Sequence, residues 1–349
     1  MKQPLVRFGG AILLATAIAA CSGTNAVPVA NGTDAAPQVQ QFLRAPATKA
    51  VAGVLEITQA DREMARSFVP GRPHIMVPTF THHAKPASAV GYPLDMTCQT
   101  PQCPVMNASV AYNVYVTPDG KTCKDEKCWG DPEEFLKAIS GSPLVGLVQQ
   151  YTKGAPTAYT YGSSIAVKYK LAYTNTFYNN DLWTILSAAA HHFKAVGTNA
   201  EYHIFLPPGV DTCFDQTSEC YSPDNLTSFA FCAYHTAVLF GKTPIVYSVE
   251  PWQDVQVTVS GKKVYGCQDA KVPPGTNRLN SGTASTLLHE SMESWSDPLP
   301  NTGWFNSIYG EEIGDTCAYL FMTKEVVGGG SWFVQQIWSN TYHGCADTP

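Results

Sequence analysis

The chain has 349 residues, a formal net charge of −6, only 14 % charged residues, and 27 glycines, 25 prolines and 11 cysteines. No basic patch stands out, which argues against nucleic acid as a partner, and an apolar share of 44 % excludes a disordered chain. The length suits one large domain or two small ones, and the composition suits a loop-rich extracytoplasmic protein.

Lys2 and Arg7 precede the apolar run FGGAILLATAIAA, which closes on IAAC at residues 18–21. A basic head, a short apolar core and small residues at its end predict a signal peptide over 1–20, too short to span a membrane. Small residues directly before Cys21 resemble the lipobox of bacterial lipoproteins. That resemblance implies acylation of the Cys21 thiol and a cell-envelope protein facing the periplasm or exterior, touching the membrane only through its lipid. Ordinary secretion with an incidental cysteine is the alternative. Removing residues 1–20 removes two bases and no acids, so the mature charge is 20 − 28 = −8.

Residues 21–69 show no sustained period and predict a flexible tether. A single α/β domain is expected from 70 to 349. GRPHIMVPTFTHH carries His74, His82 and His83 between prolines and reads as irregular surface chain rather than a ligand set. SVAYNVYV (109–116) predicts a strand ended by a turn at TPDG. In DPEEFLKAISG, Asp131 predicts an N-cap with Pro132 at the first helical position and Glu134 completing a capping box. SPLVGLVQQYTKG repeats the pattern from Ser142 to Gly154. NNDLWTILSAAAHHFKAVG predicts a longer helix ending at Gly197, with His191 and His192 structural near its C-terminus.

A buried strand follows at EYHIFLPPG, then strands at FAFCAYHTAVLF and TPIVYSVEPW, and a hairpin at VQVTVSGKKVYGC turning on SGKK. A helix is predicted over 283–296, and a last strand in SWFVQQIWSN. Helices placed between strands predict a three-layer, mixed-sheet α/β domain. The ten cysteines beyond Cys21 form an even set, which favours disulfides in an oxidising compartment. Their spacings suggest Cys98 with Cys103, Cys123 with Cys128, Cys213 with Cys220, Cys232 with Cys267 and Cys317 with Cys345. A zinc cluster is the rival reading, but the C-x4-C pairs lack a matching second pair.

The chemistry concentrates in TLLHESMESWSDPLPNTGW. Ala284, Leu287, Leu288, Met292 and Trp295 share one helix face, while His289, Glu293 and Asp297 share the opposite one, with Glu290 just beyond. From Leu279 to Thr323 there is no lysine or arginine, yet Glu290, Glu293, Asp297, Glu311, Glu312 and Asp315 all fall in that window. A solvated helix face commonly intersperses bases with its acids; carboxylates gathered without one favour protonation or a bound cation. His289 and Glu293 lie one turn apart, as the two histidines do in H-E-x-x-H, so both can reach one ion. Asp297 lies two turns beyond His289, about 12 Å along an ideal axis, so Glu312 is the better third ligand, with Asp315 a further ligand or an orienting acceptor. One nitrogen and two carboxylates suit zinc; oxygens alone would suit calcium. With zinc, Glu290 is the expected general base for hydrolysis of a peptide or amide. His235 or Tyr309 is the candidate to polarise the carbonyl, although a strand histidine such as His235 is more often structural.

The order NVYV, FLKAIS, LVQQY, YHIFLPPG, FCAYH, YSVEPW, HESMESWSDPLPNTGWF, EIGDTC and VQQIWSN resembles the phosphate-induced, or Exordium-like, proteins and their bacterial relatives over about residues 105–345. The most specific part is H-E-x-x-E-x-x-S-D-P, followed by G-W and E-I-G-D-x-C. The resemblance implies a secreted protein, cell-wall-associated in plants, where the His-Glu pair of this helix is absent. The helix is also similar to that of zinc peptidases, from which Glu293 departs. Two readings follow. One is a surface-anchored zinc-dependent hydrolase of a peptide or cell-envelope substrate. The other is a non-catalytic binding module with structural calcium or no metal, in which Trp252, Trp304, Trp332 and Trp338 serve as a contact surface or, more ordinarily, as core.

Overall fold

The computed structural model describes residues 37–44, 50–51, 53–81, 94–118, 123, 126–152, 158–173, 175–214, 219–268, 272–273, 275–320, 330 and 332–349. The signal segment with Cys21, His82 and His83, and Asp119 and Gly120 of the expected turn lie outside these residues. The first elements are α1 (Pro37–Arg44), β1 (Ala50–Val51), β2 (Val54–Leu55), α2 (Gln59–Ala65), β3 (Val69–Pro70), β4 (His74–Met76), β5 (Thr97–Cys98) and β6 (Ala108–Pro118). Then come α3 (Pro132–Ile139), α4 (Pro143–Gly146), β7 (Ala158–Tyr169), β8 (Thr176–Tyr178), α5 (Asn179–Phe193), β9 (Gly197–Phe205), β10 (Asp211–Cys213) and β11 (Cys220–Tyr221). The rest are β12 (Ala233–Phe240), β13 (Thr243–Glu250), β14 (Gln256–Val259), β15 (Lys262–Tyr265), α6 (Arg278–Ser296), β16 (Trp304–Phe305), β17 (Ile337–Ser339) and β18 (Gly344–Ala346).

A large mixed sheet runs in the order β1-β2-β7-β6-β9-β13-β12-β3, with β4 also pairing β12. Strands β2, β7, β6, β9 and β13 are mutually parallel, and β12 runs against β13, β3 and β4. Alternate side chains of each strand enter opposite cores, as the pleat requires. Val114 and Val116 of β6 pack in a cluster with Leu182, Ile185 and Leu186 of α5 and Met64 of α2. Tyr115, between them, packs in a second cluster with Phe135 of α3, Leu144 of α4, and Leu287, Leu288 and Trp295 of α6. Helices therefore cover both faces, and α6 lies against β12 and β13. Leu287 and Leu288 are fully buried, which stabilises by roughly 1.5–3 kcal/mol each.

The five disulfides join the partners that the spacings suggested. Several local expectations need correction. The described part of 37–69 is not tether: Val39 of α1 is buried in the first core cluster, β1 pairs β2, β2 extends the sheet at β7, and α2 is anchored on α5 by buried Asp61, which lies 3.1 Å from His191 Nδ1. Thr58 and Asp61 form the capping box of α2. Helix α3 begins at Pro132 as expected, but Asp131 sits at φ 61° and makes no cap bond. Its carboxylate instead takes Lys127 and the Asn280 amide, and Glu134 pairs with Lys137. The segment expected as one helix over 142–154 is a single α turn capped by Ser142, then a 3-10 turn over Leu147–Gln150. Helix α5 stops at Phe193 because Lys194 turns left-handed, and Gly197 opens β9 instead of closing the helix. The strand anticipated in 331–340 is only β17.

Strand β7 was not anticipated, because Gly162, Ser163 and Ser164 interrupt its pattern. A Cβ at Gly162 would stand 2.5 Å from Val110 Cγ1, and the β6–β7 register shifts beside this point; glycine there marks a bulge, not a strand end. Among the described residues no helix is long and apolar enough to cross a membrane.

Candidate metal centre

Helix α6 starts where the Asn277 side chain accepts the Asn280 N–H, and ends where Ser296 bonds back to the carbonyls of Met292 and Glu293. The helix is not greasy on one side and wet on the other. Every residue from Ser281 to Ser296 is buried, which removes the solvated-face reading of its acids. The apolar side packs in the core of α3 and the sheet; the side bearing His289, Glu290 and Glu293 is closed by β4, β12 and the segment 311–317.

His74, set aside in the sequence, and His235, offered there for the carbonyl, both belong here. His235 projects from the α6 side of β12, out of phase with Tyr234 and Val238 in the other core. His74 on β4 is its cross-strand partner, so both imidazoles leave the sheet on one face. Neither has a sequence spacing that links it to α6. The signal that pointed to them was the excess of carboxylates over one histidine.

The segment 311–317 clasps Glu293. The N–H groups of Gly314 and Asp315 donate to Glu293 Oε1 at 3.0 and 3.1 Å, and the Glu312 N–H donates to Asp315 Oδ2 at 3.1 Å. The Cys317–Cys345 disulfide ties down its end. Gln335 completes the clasp, its Nε2 donating to the Gly314 carbonyl at 2.8 Å. That carbonyl can only accept, so Gln335 Oε1 must be the atom that faces His289 Nδ1 at 3.2 Å. Nδ1 therefore carries the proton, and the Nε2 lone pair faces Glu293 Oε1 at 3.2 Å and Asp315 Oδ1 at 3.6 Å. At His235, Nδ1 lies 3.2 Å from Glu290 Oε2 and 3.4 Å from Glu293 Oε2, and Nε2 lies 3.4 Å from Glu312 Oε2. His74 Nδ1 lies 3.0 Å from Glu312 Oε2 and 3.4 Å from Asp315 Oδ2.

Lone pairs aimed at carboxylate oxygens repel unless a proton or a cation sits among them. His74 Nδ1, His235 Nε2, His289 Nε2, Glu293 Oε2 and both Glu312 oxygens are buried and have no hydrogen-bond partner. Two ligands at about 2.1 Å from a tetrahedral ion stand roughly 3.4 Å apart, and these separations are of that size. Three donor groups have their atoms mutually within 4.8 Å: His74 with Glu293 and Glu312, His235 with Glu290 and Glu293, and His289 with Glu293 and Asp315. The residues fit a metal ion.

The electrostatics carry the same message. Burial and the surrounding carboxylates push Glu290 and Glu312 well above the usual carboxylate range, and burial with Glu293 pushes Asp315 up to about 7. Burial would raise Glu293 too, but His289, His235 and His74 hold it well below that range. Burial would lower His74, yet Asp315 and Glu293 outweigh it and raise it to about 9. Without a cation the cluster has to gather protons.

Of the residues singled out in the sequence, His289, Glu290, Glu293, Glu312 and Asp315 come together. Asp297 does not join any donor group. Its oxygens accept the N–H groups of Asn301, Thr302 and Gly303 at 2.6, 3.2 and 2.7 Å, closing the loop after α6. Glu290 lies beneath His235 and is fully buried. Above the cluster opens a cleft of about 690 Å³ whose wall includes Arg72, His74, Phe305, Tyr309 and Asp315. The four tryptophans are wholly or largely packed: Trp332 and Trp338 are buried, and Trp252 and Trp304 donate to the carbonyls of Cys128 and Tyr151. No family model, no curated protein and no solved structure matches this chain.

Proposed function

We propose that the protein is an extracytoplasmic, zinc-dependent hydrolase of peptide or amide bonds, working in the cell envelope. The observation that carries this reading is the set of unpartnered, buried imidazole and carboxylate donors beneath a cleft whose wall includes His74 and Asp315. Three imidazoles among carboxylates suit zinc better than calcium, which takes oxygen ligands. Five disulfides suit an oxidising compartment. The resemblance to the Exordium-like proteins agrees with a secreted protein, and the retained His289-Glu290 pair supplies the catalytic element of the reading.

A divalent cation supplies Lewis acidity to the scissile carbonyl. The chain's own residues do the rest. Glu290 Oε2 orients His235 through Nδ1, as carboxylates do for ligating histidines. Glu290 Oε1 has no partner and takes the proton of the water whose oxygen adds to the carbonyl carbon. That proton then passes to the leaving amine as the C–N bond breaks. Glu290, crowded by carboxylates, would be ionised, as a base must be, when a cation is held among them. Among the described residues Arg72 is the one lysine or arginine on the cleft wall, and it suits a substrate carboxylate.

The test is metal analysis and peptide hydrolysis by the purified full chain. Zinc should co-purify with the wild type and fall in His289→Ala. Glu290→Gln should keep zinc and lose turnover by about 10²-fold or more. Equal, near-zero zinc in wild type and His289→Ala would remove the reading. Retained zinc with an unaffected Glu290→Gln would leave a structural metal in a binding module.

A further inference from the structure

Two carboxylates of the site divide their oxygens between opposite sides of it. Glu293 Oε1 faces His289 Nε2 at 3.2 Å, while Oε2 lies 3.4 Å from His235 Nδ1 and 3.8 Å from His74 Nδ1. Asp315 Oδ1 faces His289 Nε2 at 3.6 Å, while Oδ2 lies 3.4 Å from His74 Nδ1. Glu312 Oε2 sits between His74 Nδ1 at 3.0 Å and His235 Nε2 at 3.4 Å. The donors therefore sort into two sets. One is His289 with one oxygen each of Glu293 and Asp315. The other is His74 and Glu312 with the remaining oxygen of Glu293 and of Asp315, and His235 Nε2 meets it at Glu312 Oε2.

We propose that the centre is binuclear: two divalent cations, one in each set, bridged by the carboxylates of Glu293 and Asp315. This inference rests on the metal reading above and extends it. Two-metal hydrolytic sites hold their ions about 3.5–4 Å apart, a span that one bridging carboxylate covers. The backbone N–H groups of Gly314 and Asp315 on Glu293 Oε1, and of Glu312 on Asp315 Oδ2, hold both bridges in the required attitude.

Charge points the same way. Glu290, Glu293, Glu312 and Asp315 are four carboxyls no more than 8 % exposed. One divalent cation leaves half of that charge uncompensated in a buried place, where unpaired charge is costly; two cations balance it. The fully buried His235, whose Nε2 has no hydrogen-bond partner, is the second independent indication, because the His289 set alone would leave it without one. The chemistry this adds is a clamp on the two oxygens of a hydrolytic transition state, the attacking and the carbonyl oxygen.

The experiment uses the full chain, stripped with chelator, reloaded with zinc and freed of excess ion by gel filtration. Metal per chain is then measured by mass spectrometry. Two zinc ions per chain are expected, falling to one in His289→Ala, with near-ultraviolet dichroism checking that the variant is folded. One ion in the wild type overturns the binuclear centre while leaving the hydrolase reading intact; no ion overturns both. Manganese-loaded protein should give the electron paramagnetic resonance spectrum of an exchange-coupled pair, and Asp315→Asn should weaken or abolish that coupling. Two ions per chain with the spectrum of isolated manganese would place them at separate sites and overturn the bridge.

Discussion

The imidazole of His289 and the amide of Gln335 illustrate how one acceptor-only atom propagates. The Gly314 carbonyl fixes the amide, the amide fixes the tautomer, and the tautomer aims a lone pair at carboxylates. A second set of buried polar residues lies on the same face of the sheet but outside the donor groups. Glu201 on β9 accepts Trp295 Nε1 at 2.9 Å and is pushed up to about 8 by burial; His203 beside it is pushed down to about 3, also by burial. Folding therefore raises the Glu201 pKa above its unfolded value. Its contribution is fully present below the unfolded value, near 4.5, and is lost as pH rises through the folded value near 8. Glu201→Gln keeps an acceptor for Trp295 and removes this titration. In zinc-loaded protein, the decline of Tm between about pH 4.5 and 8 is expected to flatten in the variant, with its Tm above wild type at the alkaline end. An unchanged slope would assign the pH dependence to other groups.

At the scale of elements, α6 is a helix whose polar side is as buried as its apolar side. Its position was legible: the 3.6-residue apolar period, the His289–Glu293 spacing and the missing bases all lay in one stretch. Its surroundings were not. β4 and β12 contribute one histidine each from far along the chain, and β-pairing of that range leaves no local periodicity to read. Spacing placed Asp297 on the His289 face but far from it, and gave no sign of the backbone N–H groups that claim its oxygens. The 311–317 segment depends on glycine at 314, where a Cβ would stand 2.7 Å from both Glu293 Oε1 and His289 Nδ1. The constraint is contact, not backbone strain, since φ there is −80°. Gly314→Ala is expected to lower metal affinity by about tenfold or more, the scale of disturbing groups that orient ligands. Calorimetric titration with zinc measures it, and Gly141→Ala, with nothing within 4 Å of its added Cβ, serves as the control.

For the whole molecule, alternation of helix and strand gave the layered α/β class, and the cysteine spacings gave the staples. What composition concealed was how early the fold begins: Thr58 and Asp61 cap a helix in a segment that otherwise reads as tether. The staples also carry stability. Cys232–Cys267 and Cys317–Cys345 span 35 and 28 residues, and loops of that size are worth about 3.5–4 kcal/mol each in the chain-entropy account. Reduction under native conditions is expected to lower the urea midpoint sharply, and a double Cys317→Ser, Cys345→Ser variant to lose metal as well as stability. A variant that keeps full metal content would show that the clasp holds without its pin.

The donors come from β4, β12, α6 and the segment pinned by the Cys317–Cys345 disulfide. A chain made only as far as α6 lacks part of that set. The donors therefore exist as a set only in the folded molecule, drawn together from stretches that no single element contains.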